Sequence, residues 1–220
     1  NKAASEMKER TAKAIGTTYH PHMMKNRHLP YIGTFHSFGI FVLKEVLGSS
    51  VSEQASRMIG LKKDFIIYDE SDKLSVMKSI IRDELGLIEK DFPARQIAYF
   101  ISDAKNKSVN PQAYKQQIDS QLKEVVAQVY ERYEKRLAEN NALDFDDILG
   151  KLLQLFQIPE ILEMYQNRYH YLMIDEYQDT NLVQYEIVSL LAQRYRNLAV
   201  VGDDWQSIYS WRGADMRNIL

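Results

Sequence analysis

Tyr171-Leu172-Met173-Ile174-Asp175-Glu176 and Leu198-Ala199-Val200-Val201-Gly202-Asp203-Asp204 are two apolar runs that each stop on a pair of acids. Between them, Asn181 to Arg194 carries Leu182, Tyr185, Val188 and Leu191 at helical spacing, which predicts a helix with one apolar face. Strand, helix and strand within about 30 residues make a βαβ unit. Strands that are apolar throughout, rather than alternating, predict a parallel sheet covered on both faces. The β-branched and aromatic run Tyr31-Ile32-Gly33-Thr34-Phe35 is expected to add a strand to the same sheet.

Upstream of Arg168 helical patterns predominate. Ala4, Met7, Thr11 and Ala14-Ile15 fall at helical spacing, with Asn1 as candidate N-cap and Gly16 as the stop. The polar loop from Thr17 to Pro30 carries His20, His22 and His28, but no acidic or Cys partner at ligand spacing, so it reads as a solvated loop. His36-Ser37 leads into a helix through Phe38, Phe41, Val42, Val46 and Leu47 that Gly48 ends. From Val51 to Phe156 nearly all of the sequence predicts helix. Asp69-Glu70-Ser71-Asp72 precedes a periodic run through Leu74, Met77, Ile80 and Ile81; Asp91-Phe92-Pro93 precedes another from Ile97 to Ile101; Asn110-Pro111 marks a turn. The longest run, Tyr114 to Asn140, has a stripe of Ile118, Leu122, Val125, Val126, Val129, Tyr133 and Leu137. Lys105, Lys107 and Lys115 read as a solvated face, with contact to a nucleic-acid duplex as the alternative. The fold class that follows is α/β and helix-rich: a parallel-sheet core over residues 1–40 and 158–220, with an all-helical domain inserted at 41–157.

Composition narrows the function classes only slightly. An apolar content of 45% supports a packed core, and a net charge of −2 with 26% charged residues gives no basic excess that would point to nucleic acid. The lack of cysteine excludes disulfides and thiolate metal sites. No run approaches the roughly 20 apolar residues of a membrane helix, and Asn1 to Arg10 is too polar for a secretory signal. A soluble, cytoplasmic protein without membrane partners is expected. The first residue is not Met, and Met216-Arg217-Asn218-Ile219-Leu220 has no cap, so the chain reads as a segment of a longer one.

The acids at the strand ends carry the chemistry. Ligands of open parallel sheets sit beyond the carboxyl ends of the strands. Four carboxylates buried together there are costly unless a cation compensates. Magnesium with a phosphate ester is the natural occupant, because it takes one or two carboxylates plus waters and phosphate oxygens. An adjacent Asp-Glu pair divides the work: Asp175 for the metal, Glu176 to orient or deprotonate an attacking water. Carboxylates after a strand also serve as N-caps of the next helix. Two neighbouring strands with the same ending weigh against that reading.

The wider text carries a resemblance. Asp175-Glu176-Tyr177-Gln178-Asp179-Thr180-Asn181 resembles motif II of the UvrD/Rep/PcrA-type superfamily 1 DNA helicases, and Val201 to Asp215, through Gly202-Asp203-Asp204-Trp205-Gln206-Ser207-Ile208-Tyr209-Ser210-Trp211-Arg212-Gly213-Ala214, resembles motif III. Asn1-Lys2-Ala3-Ala4 is similar to the tail of motif Ia and Gly33-Thr34-Phe35-His36-Ser37-Phe38 to the next motif. Leu143-Asp144-Phe145-Asp146-Asp147-Ile148-Leu149 is similar to the acidic motif near the end of the family's inserted helical domain. These blocks cover the chain end to end in the family's order.

The resemblance implies a partial RecA-like core, ATP and Mg2+ as cofactors, and movement from 3′ to 5′ on single-stranded DNA. It implies that Asp175 binds magnesium, that Glu176 is the catalytic base, and that Gln206 senses the γ-phosphate, with Asp203 near the nucleotide. Tyr209 and Trp211 would stack on bases and Arg212 would pair with a phosphate or an acid; His36, Thr34 and Asn1 would touch the strand. Stacking is worth about 1–3 kcal/mol per base and tolerates any sequence, as a translocating motor requires. Core packing is the other reading of Tyr209 and Trp211. The partners implied are single-stranded DNA and single/double-strand junctions, and the location a bacterial-type cytoplasm, nucleoid-associated through DNA.

Two departures qualify the match. Trp205 stands where many relatives carry Asp, which lowers the local carboxylate count while leaving Gln206 in register. No Gly-x-x-x-x-Gly-Lys-Ser/Thr loop occurs in these residues. Without its Lys and backbone nest the phosphates have no cradle, so the segment alone is expected to bind ATP poorly and hydrolyse none. Two other readings stay open: a helicase–nuclease subunit, decided by a nuclease domain further along, and a non-catalytic DNA-binding relic, decided by an upstream sequence lacking the phosphate loop.

Overall fold

A computed structural model describes residues 2–14 and 30–203. The elements, in chain order, are α1 (Lys2–Ala14), α2 (Phe35–Leu47), α3 (Ser52–Ile59), β1 (Ile66–Tyr68), α4 (Glu70–Ser79), α5 (Ala94–Asn106), α6 (Pro111–Lys115), α7 (Gln121–Glu139), β2 (Ala142–Asp144), α8 (Asp147–Leu155), α9 (Pro159–Arg168), β3 (Leu172–Ile174), α10 (Leu182–Ala192) and β4 (Leu198–Val200). The chain is α/β and helix-rich.

The βαβ unit forms as read. β3 pairs with β4 in parallel, Leu172 opposite Leu198 and Ile174 opposite Val200. The ladder continues past the strands, because Val201 N donates to Ile174 O (2.8 Å) and Tyr177 N to Val201 O (2.9 Å). α10 starts on a reciprocal cap: Asn181 Oδ1 accepts from Gln184 N (3.0 Å), and Gln184 Oε1 from Asn181 N (3.2 Å). Its buried face is Val183, Ile187, Val188 and Leu191, whereas Leu182 and Tyr185 are exposed, so the apolar stripe is rotated from the predicted one.

Three expectations are corrected. Residues 30–34 form no strand. Thr34 instead caps α2, its Oγ1 accepting from Ser37 N at 3.3 Å, and the Tyr31 ring is held by Phe38 (5.3 Å) and Phe41 (5.5 Å). Among the described residues the β3–β4 sheet is covered on one face: Leu172 packs on the core, and Met173 on the opposite face is 78% exposed. The helical stretch is also not all helix, because β1 and β2 form a second parallel ladder, Ile66 opposite Ala142 and Tyr68 opposite Asp144. Asn141 sets that ladder: in a left-handed turn (φ 48°) after α7, it accepts from Ile66 N through its carbonyl (3.1 Å) and from Lys62 N through Oδ1 (2.8 Å).

The starts of α4 and α6 fall where the sequence put them, and that of α7 does not. Asp69 and Asp72 form a capping box on α4, Asn110 caps α6 with Pro111 following, and Ser120 caps α7. That last cap splits the long run from Tyr114: Ile118 lies between the helices and is exposed, while Val125, Val126, Val129, Tyr133 and Leu137 are buried.

The buried side chains form two cores. One lies among α2, α3, α8, α9 and α10, through Leu43, Val46, Leu152, Phe156, Tyr165 and Ile187. The other lies among α4, α5, α6 and α7, through Met77, Ile81, Ile97, Ile101, Val126 and Tyr133. β2 joins them by strand alternation, Ala142 belonging to the second and Leu143 to the first. Among the described residues no helix is long and apolar enough to cross a membrane.

Candidate functional site

The acidic tip of β3 is built around one buried glutamine. Glu176 follows Asp175 in a left-handed conformation (φ 52°, ψ 42°), which costs a non-glycine residue about 1–2 kcal/mol. The turn is braced locally, since Asp175 Oδ1 accepts from Glu176 N at 3.0 Å and Thr180 Oγ1 donates to Tyr177 O at 2.7 Å. Gln178, 1% exposed, donates from Nε2 to Glu176 Oε2 (2.7 Å) and accepts at Oε1 from Asp203 N (3.0 Å). One side-chain amide therefore ties the carboxylate after β3 to the backbone after β4.

Gly202 makes that bridge possible. A Cβ on residue 202 would lie 2.6 Å from Gln178 Oε1 and 3.2 Å from Gln178 N, so any side chain there would have to displace the Gln178 amide. A glycine ending a strand marks close backbone approach, and that is its role here.

Among the described residues Asp175, Glu176 and Asp203 are exposed at this edge rather than buried together; Asp204, the fourth of the strand-end acids, lies outside the described residues. Asp179, next in the turn, has Oδ1 sealed without a hydrogen-bond partner among the described residues, and burial, reinforced by the charge on Glu176, raises its pKa. No group of three His, Cys, Asp or Glu that could hold a metal by itself occurs among the described residues. The exposed Asp175 carboxylate nonetheless suits magnesium, which fills its shell with waters and phosphate oxygens around one or two protein carboxylates.

A second face involves His36 and Thr34. Thr34, exposed, spends its oxygen as the α2 cap. The His36 ring stacks on Phe145, centroids 4.0 Å apart and planes 15° from parallel. Burial lowers the His36 pKa to about 4, against the opposing charge of Asp146, so the imidazole is neutral at pH 7. Phe145 is 56% exposed. Sequence reasoning assigned no role to Phe145 or Gln178. The available signals were an aromatic set among three aspartates, Asp144, Asp146 and Asp147, and a glycine at a strand end.

Behind this face the acidic motif is buried and neutralised from within. Lys105 reaches Asp147 (2.7 Å), Glu134 (2.7 Å) and Asp144 (3.0 Å), and its side chain is 5% exposed. The reading of Lys105 as part of a solvated face is therefore corrected, whereas Lys107 and Lys115 sit at the surface paired with Asp103 and Glu131. Burial alone would lower the Lys105 pKa, but the charges of Asp147, Asp144 and Glu134 outweigh it and hold the ammonium well above its usual range. Burial raises Asp147 to about 7, against the pull of Lys105.

Gln206, Tyr209, Trp211, Arg212 and Asn1, with His20, His22 and His28, lie outside the described residues.

The family model of the UvrD/REP helicase N-terminal domain matches residues 1–220. The chain belongs to this family. Among the relatives of this UvrD/REP domain are the ATP-dependent DNA helicase PcrA of Staphylococcus aureus (strain Mu50), 41% identical over 221 residues, and that of Bacillus subtilis (strain 168), 42% identical over 221 residues. Each match covers 100% of this chain and 28% of the relative, so the chain spans little more than a quarter of the proteins it resembles. Within the UvrD/REP domain, the Gln178 bridge thus lies between the segments that resemble motifs II and III.

Proposed function

We propose that residues 1–220 serve as part of an ATP-driven DNA helicase, with the β3–β4 edge as its nucleotide-hydrolysis site. The observation that carries this reading is the tie from Glu176 through Gln178 to Asp203, which gives the two strand tips one fixed geometry. In this reading Asp175 holds Mg2+, which when bound neutralises phosphate charge, and Glu176 positions and deprotonates the attacking water. Gln178 keeps the Glu176 carboxylate aimed, and Asp203 carries the strand tip toward Gln206, the proposed γ-phosphate sensor.

His36, Thr34 and Asn1, with Tyr209, Trp211 and Arg212, are proposed to hold single-stranded DNA, and the exposed Phe145 ring extends the surface at His36. A neutral imidazole stacked on an exposed ring supplies a flat surface for a base without sequence preference. Movement from 3′ to 5′, action at single/double-strand junctions, service in repair, replication or recombination, and a cytoplasmic, nucleoid-associated location belong to this proposal. So does the division into a core of residues 1–40 and 158–220 with an insertion at 41–157.

The test is ATP hydrolysis by the full-length protein with and without oligothymidylate, beside the isolated 220 residues. The full-length protein should hydrolyse Mg-ATP faster with DNA, and the isolated segment not at all. Hydrolysis indifferent to DNA would overturn the motor reading; hydrolysis by the segment alone would overturn the need for a phosphate loop.

A further inference from the structure

The loop that presents Phe145 is held from behind by two buried lysines. Asp146 occupies the N-cap position of α8 but makes no capping hydrogen bond. That end of the helix is closed one step away, where Asp144 Oδ1 accepts from Asp147 N (3.0 Å) and Asp147 Oδ2 from Asp144 N (3.1 Å). Asp146 is thereby released for another task. Its Oδ2 accepts from Lys73 Nζ on α4 (2.7 Å) and from Ser102 Oγ on α5 (2.6 Å). On the other side of Phe145, Asp144 is gripped by Lys105 (3.0 Å) and by the Tyr133 hydroxyl (3.1 Å). The Lys73 side chain is 5% exposed and that of Asp146 20%.

Burying an ammonium is expensive, and interior ion pairs are weak sources of net stability, so their use here calls for a reason other than stability. Fixing the geometry of an exposed ring supplies one. A ring on a slack loop loses freedom when a ligand orders it and binds correspondingly weakly, whereas a ring already fixed does not.

We infer that Lys73 is a positioning residue for nucleic-acid binding: by clamping Asp146 from the interior it fixes the Phe145 ring against His36 in its binding orientation. Lys73 itself touches no ligand. The inference rests on the proposal that the His36–Phe145 face meets DNA, and the experiment separates the two.

Affinity for oligothymidylate is measured by fluorescence anisotropy for the full-length protein and for Lys73→Met, Phe145→Ala and the double variant. Lys73→Met should weaken binding roughly three- to tenfold, the size expected for losing preorganisation of one or two side chains. In the Phe145→Ala background the same change should add less than about a factor of two, because partners acting through one group are not additive. Equal weakening in both backgrounds would mean a general structural role and would overturn the inference. Wild-type binding by Lys73→Met, with Phe145→Ala weakened, would overturn it while leaving the DNA face standing; wild-type binding by Phe145→Ala would remove both. Should Lys73→Met not fold, Ser102→Ala enters the same cycle, with about two- to fourfold expected for one lost hydrogen bond.

Discussion

Two segments of this chain look alike as text and behave as opposites. Leu143-Asp144-Phe145-Asp146-Asp147 and Ile174-Asp175-Glu176-Tyr177-Gln178-Asp179 each carry an acid at or just after the end of a short parallel strand, with a second acid and an aromatic residue nearby, and lead into a helical turn. In the first, the acids turn inward onto Lys73 and Lys105 and the aromatic ring is outside. In the second, Asp175 and Glu176 are outside and Tyr177 is buried. The difference lies in what the neighbouring helices bring. α4 and α5 deliver buried cations to the first segment, whereas among the described residues the Glu176 carboxylate of the second meets the neutral amide of its own Gln178. A strand ending in acids becomes a structural joint when the fold supplies the counter-ions, and stays open to a ligand when it does not.

Removing the counter-ion is the strongest way to test that contrast. Lys105→Met removes the cation shared by buried Asp144 and Asp147 and the partly exposed Glu134, and breaking a buried pair from one side costs about 3–5 kcal/mol. Urea unfolding should show that loss; a cost under about 1 kcal/mol would mean that the joint is not held by charge.

The next effect concerns pH. The folded His36 pKa, about 4, lies below its ordinary value of 6.5, so between these values only the unfolded chain takes up the proton. Its stabilisation is thus present above about pH 6.5 and lost as pH falls toward 4, at most about 3 kcal/mol. Stability curves of the wild type and His36→Gln should converge by that amount across the window, with other titrating groups common to both. Parallel curves would show that the ring is not shielded by its stack on Phe145.

Gly202→Ala gives a smaller effect at the other segment. The new methyl must push Gln178 aside, with a cost of about 1–3 kcal/mol by the usual measure of overpacking. It should also slow ATP hydrolysis by the full-length protein, since Glu176 loses its brace. Unaltered hydrolysis would show that the bridge is not what aims Glu176.

Local signals were read well, and long-range pairings poorly. The βαβ unit and the helix starts after Asp69 and Asn181 are set by neighbours within a few residues, and sequence displays such neighbours directly. Tyr31 to Phe35 carried strand-like residues, but the Thr34 cap and the Tyr31–Phe38 contact decided for a helix start. β1 and β2 are three residues each, and their pairing spans the whole of α4 to α7, beyond any periodicity. Lys105 looked like a surface lysine because its partners Glu134, Asp144 and Asp147 stand far along the chain. At the candidate site the strand-end acids were legible, whereas Gln178 was not, because its importance arises only where the two tips meet.

The most direct measurement compares the rate of DNA-stimulated ATP hydrolysis with the unfolding midpoint in full-length protein carrying Glu176→Gln. Glu176 is exposed and, among the described residues, held by the Gln178 amide, so its replacement should leave the midpoint near that of the wild type, while the rate falls by about 10²- to 10⁴-fold if it is the proposed base. An unchanged rate, or a rate lost only in step with a collapsed midpoint, would contradict the assignment of Glu176 to chemistry.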